Sequence, residues 1–152
     1  MKFSTKVSIL AISLGIFSVG IAFALVSNSD EVKIRELISV YQNMLNNEEI
    51  EKIPTLYSEQ AIFMPPDVPA IHGVEEIGLT YEYLFSQFDF ELKFDIKEVV
   101  ISENFAYVLS NSEGTIKSSE TEEVSKNQEI FILIKEKDDW KISRYMFNSL
   151  KL

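Results

Sequence analysis

His72 is the one side chain in this sequence whose ordinary titration range falls near neutral pH, and it is the only histidine. It stands in Ile71-His72-Gly73, directly ahead of a helical pattern, where a role in acid–base chemistry competes with a capping or half-exposed one. With no cysteine and one histidine, a zinc- or copper-type centre lacks its ligands. The acidic pairs Glu48-Glu49, Glu75-Glu76, Glu122-Glu123 and Asp138-Asp139 lack the glycine-turned order of a calcium loop. No metal and no cofactor is therefore expected. The five glycines are scattered and form no phosphate-cradling loop, and a serine nucleophile would have to borrow His72 as its base. Four other polar residues can serve a ligand. Arg144 and Asn148 alternate with Trp140, Ile142 and Met146 on what reads as one strand face. An arginine on such a face needs an anion, either a ligand carboxylate or an internal partner such as Glu113 or Glu129. Asn111 and Glu113 continue the face begun by Phe105, Tyr107 and Leu109, and so form a second polar end to any cavity.

The elements that must hold these residues follow from the periodicity. Ile34, Leu37, Ile38, Tyr41 and Leu45 recur at three- and four-residue steps, one face of a helix starting at Asn28 or Ser29 and ending near Asn46-Asn47. A second helix is expected over about 49–57, limited in regularity by Pro54. Ala61–Met64 is a short strand stopped by Pro65-Pro66, and the loop holding Asp67 and Pro69 is stiff. Gly73 opens a third helix, with Val74, Ile77, Tyr81, Leu84, Phe85 and Phe88 on one face. The period then falls to two. Phe90, Leu92, Phe94 and Ile96 alternate with charges, and the phase slips at Glu98, as a bulge would require. Phe105–Ile116, Glu129–Lys135 and Trp140–Ser149 complete four long strands, with a polar loop at Ser118–Ser125. Helices gathered on one face of an antiparallel sheet make an α+β domain. Tyr41, Met44, Phe63, Tyr81 and Phe85 then face inward, as core or as the wall of a pocket.

Residues 1–26 differ from the rest. Lys2 and Lys6 precede an apolar run from Val7 to Val26, with Ala22-Phe23-Ala24 as a cleavage site of the small-x-small kind. This is a signal peptide or, since about 20 apolar residues can span a bilayer, an uncleaved membrane anchor. Either reading exports residues 27–152 as one domain, because the basic residues lie before the run. Contact with a membrane is then expected only through residues 7–26, if they are retained. The chain carries 14 Lys and Arg against 24 Asp and Glu, a net charge of −10. Such a surface repels phosphate backbones, so nucleic acid is excluded as a partner.

Taken in order, Tyr57 with Ala61 and Phe63, Ile71-His72-Gly73 with Ile77, Val99-Val100-Ile101 with Phe105-Ala106-Tyr107, and Trp140-Lys141-Ile142 with Phe147-Asn148-Ser149 resemble the SnoaL-like and ketosteroid-isomerase-like branch of the nuclear transport factor 2-like superfamily. The resemblance covers about Glu31 to Ser149. It implies a cone-shaped domain in which a curved antiparallel sheet, four long strands and a short one, wraps three N-terminal helices and leaves a pocket at its wide end. It also implies homodimers formed through the outer sheet face. Members include isomerases, cyclases, dehydratases and proteins without a known reaction. In steroid-isomerising members a tyrosine on the first helix and an aspartate after the first short strand carry catalysis. Tyr41 matches the first position, but Pro65 occupies the second, with Asp67 two residues further on.

The reading that follows is an exported domain binding a small, mostly apolar ligand in its cone, without assigned catalysis. Its pocket residues are Tyr41, Phe63, His72, Tyr81, Asn111, Glu113, Arg144 and Asn148. One alternative is an isomerase, dehydratase or cyclase moving a proton through Tyr41, Asp67 or His72. The other is a non-enzymatic dimerisation or interaction module.

Overall fold

A computed structural model describes residues 15–150 of the chain, with side-chain surroundings from residue 29 onward. The leader or anchor assigned to residues 1–26 lies outside the described residues up to residue 14, and no side chain is described in its remainder. Among the described residues, no helix is long and apolar enough to cross a membrane.

The elements are α1 (Gly15–Asn46), a single 3-10 turn (Ile53–Leu56), β1 (Tyr57–Met64), β2 (Ile71–His72), α2 (Val74–Gln87), β3 (Asp89–Ser102), β4 (Phe105–Lys117), β5 (Glu122–Glu136) and β6 (Asp139–Ser149). One six-stranded sheet runs in the order β2-β1-β6-β5-β4-β3. The α+β class and the four long hairpin-connected strands agree with the periodicity, as does the slip at Glu98, where the β3–β4 register shifts between Ile96 and Glu98.

Several expectations need correction. Among the described residues there are two α-helices, not three: the expected helix over 49–57 is only the 3-10 turn, because Pro54 sits at its start and lacks the N–H that a longer helix needs. Tyr57 already belongs to β1, which is therefore twice the expected strand. That strand pairs parallel with β6, so the sheet is mixed rather than wholly antiparallel. The helix does not start at Asn28 or Ser29 but passes through them from Gly15. Strand β5 begins at Glu122, inside the stretch read as a polar loop, because Thr115–Lys117 extend β4 and offer it a ladder.

Packing follows the faces. Ile34, Ile38, Tyr41 and Leu45 of α1 and Ile77, Tyr81 and Phe85 of α2 bury against Ala106 and Val108 of β4, Phe131 and Leu133 of β5, and Ile142 and Tyr145 of β6. Strand β3 is an edge, and α1 covers part of it with side chains. Asn46 donates to the Leu92 carbonyl at 2.8 Å and accepts from the Leu92 N–H at 2.9 Å, while the Phe94 N–H donates to Gln42 at 2.8 Å. Two amide side chains thereby satisfy backbone groups that would otherwise invite another strand. They also hold the bent half of β3 over Tyr41, whose ring meets Phe94 edge-on at 5.6 Å.

Candidate functional site at the wide end of the cone

The narrow interior is filled by aromatic rings. Phe131 and Tyr145 stack with centroids 4.1 Å apart, Tyr145 and Phe63 at 5.3 Å, and Phe63 and Tyr81 at 5.7 Å. Tyr41 packs edge-on to Phe131 and Tyr145. Each such pair adds about 0.5–1.5 kcal/mol beyond its buried area. The hydroxyl of Tyr81 lies 2.8 Å from that of Tyr41 and 2.9 Å from that of Tyr57, so the three phenols form an internal chain of hydrogen bonds. Burial pushes the phenols of Tyr41, Tyr57, Tyr81 and Tyr145 well above their ordinary range. They remain protonated at any physiological pH. Tyr41, Phe63 and Tyr81 thus sit together in the centre, as packed core.

Toward the wide end the inner face turns polar. Ser110 and Ser112 of β4 and Asn127 and Glu129 of β5 are all buried. Ser110 Oγ donates to Glu129 Oε2 at 2.7 Å, and Asn127 Nδ2 donates to Ser112 Oγ at 3.0 Å. Burial pushes the Glu129 carboxyl above the ordinary glutamate range, and the hydroxyls of Ser112, Ser110 and Tyr145 pull it back only in part. Among the described residues no lysine or arginine pairs with it. An open cavity of about 550 Å³ lies between the loop Met64–Asp67 and strands β5 and β6, on the side to which Gln128, Ile130, Met146 and Asn148 point, whereas the Glu129 carboxylate is turned to the inner face. The cavity walls are Met64, Pro65, Pro66, Ile130, Met146 and Phe147, with Gln128, Asn148 and Asp67 adding polar groups.

The other residues named from the sequence fall elsewhere. Asn111 and Glu113 are on the outer face of β4, since Ala106, Val108, Ser110 and Ser112 hold the inner one. They border a groove of about 400 Å³ with Lys93, Asp95, Lys97 and Lys126. Arg144 does not share a face with Trp140 and Ile142. The β5–β6 register shifts between Ile132 and Leu133, whose partners are Arg144 and Ile142, so Ser143 is an extra residue that inverts the alternation. Tyr145 and Phe147 then turn inward, while Arg144, Met146 and Asn148 turn outward. The Arg144 guanidinium donates to the Ser143 carbonyl at 2.7 Å and to the Gln60 carbonyl at 3.3 Å, so neither Glu113 nor Glu129 is its partner. His72 is exposed on β2, paired with Ile62, and Asp67 is exposed on the loop with φ 63°.

The burial of Glu129 beside Ser110 and Ser112 was the least legible feature of the sequence. Glu129 opens EIFILIK, a run apolar on both faces, and the signal was only the alternation that gives Ser110 and Ser112 one shared face in the neighbouring strand.

No family model and no curated protein matches the chain. Solved structures do. A ketosteroid isomerase-like protein from Erwinia carotovora atroseptica is 27% identical, with a TM-score of 0.75 over 80% of this chain and 96% of that one. This chain has the ketosteroid-isomerase-like form of the nuclear transport factor 2-like fold. A scytalone dehydratase-like protein from Novosphingobium aromaticivorans aligns at 15% identity and a TM-score of 0.72, over 82% of this chain and 87% of its own. A nuclear transport factor 2-like protein with a cystatin-like fold, from the same organism, aligns at 16% identity and a TM-score of 0.71, over 88% and 90%. At those identities the last two speak for the fold alone.

Proposed function

We propose that this chain binds a small, mostly apolar molecule at the wide end of its cone, on the exported side of a membrane if residues 1–26 act as a leader or anchor. The observation that carries the reading is an open cavity of about 550 Å³ beside the Met64–Asp67 loop, whose walls are largely methionine, proline, isoleucine and phenylalanine, with Gln128, Asn148 and Asp67 as polar groups. Mostly apolar walls with a few converging polar groups are the usual make-up of a small-molecule site. The site lies beside the Met64–Asp67 loop and not in the centre, because the aromatic stack already fills the place where the sequence suggested a pocket. Proton transfer through Tyr41, Asp67 and His72 has less behind it, since Tyr41 is buried in the phenol chain while His72 and Asp67 are exposed. A thermal-shift and native-mass screen of the purified protein against small apolar compounds should return binders. Their affinity is expected to fall at least tenfold in a Met146→Lys variant. A library giving no shift and no adduct would overturn the reading.

A second reading, self-association through the outer sheet face, rests on a separate observation. Leu109, Ile130 and Met146 are successive ladder partners across β4, β5 and β6, and Val100, Tyr107 and Ile132 form the next row. Met146 is 46% exposed and Phe105 45%, which makes a contiguous apolar patch of the kind that marks interfaces. Light scattering is expected to give a dimer mass for the wild type and a monomer mass for the Leu109→Glu, Met146→Glu double variant. A wild-type monomer at high concentration would remove this reading.

A further inference from the structure

We infer that the groove between α2 and the 3-10 turn is a docking surface for a basic amphipathic helix of a partner protein. The inference stands apart from the binding reading above, since this groove shares no residue with the cavity beside the Met64–Asp67 loop.

The groove follows from spacing. Glu75, Gly78, Leu79 and Glu82 stand at i, i+3, i+4 and i+7, so they run as one stripe along α2. Ile77, Tyr81 and Phe85 form the separate stripe that is buried in the core. Gly78 is the low point of the outer stripe. A Cβ there would come within 3.2 Å of Pro54 Cγ, so the missing side chain lets α2 approach the turn closely. Over that contact Ile50, Pro54, Val74 and Leu79 wall an open groove of about 350 Å³. Ile50 is 38% exposed and Leu79 53%, so two large aliphatic side chains on one groove are left to water.

Charge decides what covers them. The charged residues of the lining are Glu75 and Glu82, and none is basic. They lie two helical turns apart, roughly 10 Å from the helical rise, one on each side of Gly78. Among the described residues neither forms an ion pair. The surroundings have the same sign. Residues 47–88 carry eight acidic side chains and a single lysine, Lys52, which is already paired with Glu49. A second copy of this chain, with its net charge of −10, would be repelled here, as would any acidic segment. A helix with one large apolar side chain, and lysine or arginine on the turns before and after it, fills the groove and meets both carboxylates. Its apolar anchor supplies the affinity, and its charges supply orientation and selectivity. Recognition of a helix in a groove uses anchors at three- and four-residue steps, the spacing that α2 itself displays.

Three amidated, dye-labelled, alanine-based peptides of about 15 residues separate the possibilities. The first has a central leucine, with lysine three residues before it and four after. The second has glutamate at those two places, and the third keeps the lysines but replaces the leucine by serine. Titrated by fluorescence anisotropy against the purified protein at low ionic strength, the first is expected to bind at least tenfold more tightly than either of the others. Added salt should weaken it. The Glu75→Lys, Glu82→Lys double variant should invert the preference and favour the glutamate peptide. Both side chains are exposed, so that variant should keep the wild-type circular dichroism and melting temperature. Equal binding of the lysine and glutamate peptides, a preference that survives the double variant, or no binding by any of the three would overturn the inference. Equal binding of the leucine and serine peptides would overturn it too, because charge alone would then explain the capture.

Discussion

Gly114→Ala should lower the melting temperature by about 10 °C, the largest loss expected from a single added methyl group in this protein. A Cβ built on Gly114 would stand 1.8 Å from the Glu91 carbonyl oxygen and 2.9 Å from its carbon, both on the backbone of β3. A flexible side chain could swing away, but here two paired strands must separate. Gly114 faces Leu92 on one side and Ser125 on the other, so the disturbance spreads over three strands at the place where the sheet bends over α1. Forcing atoms into a packed site costs about 1–3 kcal/mol, and a backbone clash belongs at or beyond the upper end. For a domain of this size each kcal/mol moves the midpoint by about 3–4 °C. Gly78→Ala is the control. Its Cβ would meet only the Pro54 side chain, Cγ at 3.2 Å and Cβ at 3.9 Å, inside a helix where alanine is the better former. That variant should stay within about 0.5 kcal/mol of wild type. Differential scanning calorimetry of both proteins tests the pair, and equal midpoints would refute the close-approach account.

Asp30→Ala should cost about 3 kcal/mol, again read as a melting midpoint, for an electrostatic reason. Both Asp30 oxygens accept from Lys135 Nζ at 2.8 Å, and Oδ1 also accepts from Trp140 Nε1 at 3.2 Å. Asp30 and Lys135 expose only 8% and 19% of their side chains. Removing the carboxylate strands a poorly hydrated ammonium beside the Trp140 ring, 5.6 Å away, and leaves a buried indole N–H without an acceptor. Adding Lys135→Met in the same chain should restore about half the loss, because it removes the stranded charge and keeps the packing of the stem. No recovery would mean that the loss came from the indole alone.

The two buried carboxylates also set opposite pH responses. Burial by itself would raise Asp30, but hydrogen bonds from Lys135 and Trp140, with the charges of Lys135 and Lys33, bring it below the ordinary aspartate value. Its contribution is therefore present above about pH 4, the unfolded value, and is lost as pH falls through the lower folded one. Glu129 is raised, so its contribution is full below about pH 4.3 and is lost as pH rises through its folded value. In Asp30→Ala the acid loss should flatten, since one of the groups that cause it is gone.

How far the sequence reaches can be judged element by element. The alternation from Phe90 to Ile96 and its slip at Glu98 marked β3 and its bulge, because a strand with one wet face must place every second residue inward. The face of α1 was equally plain, and its inward residues are those that line the core. Glycine before α2 was legible too, for Gly73 adopts φ 87°, a backbone conformation that side chains disfavour. What these share is that the cause lies within a few residues of the effect.

The site was decided elsewhere. One extra residue, Ser143, moved Arg144 and Asn148 from the inner face to the outer, and nothing local to β6 reveals it, because a bulge is a property of two strands in register. Asn111 and Glu113 were placed on the wrong side for a related reason: Phe105, Tyr107 and Leu109 are apolar yet face outward, so hydrophobicity could not tell core from patch. Strand β1 reached β6 in parallel across more than seventy residues, a pairing no periodicity encodes. The sequence by itself determined the α+β class, the four long strands, the charge and the lack of soft metal ligands. Only the tertiary structure decided that tyrosines fill the cone and that Glu129 is buried among the hydroxyls of Ser110 and Ser112, since burial and partnership depend on residues that are distant along the chain.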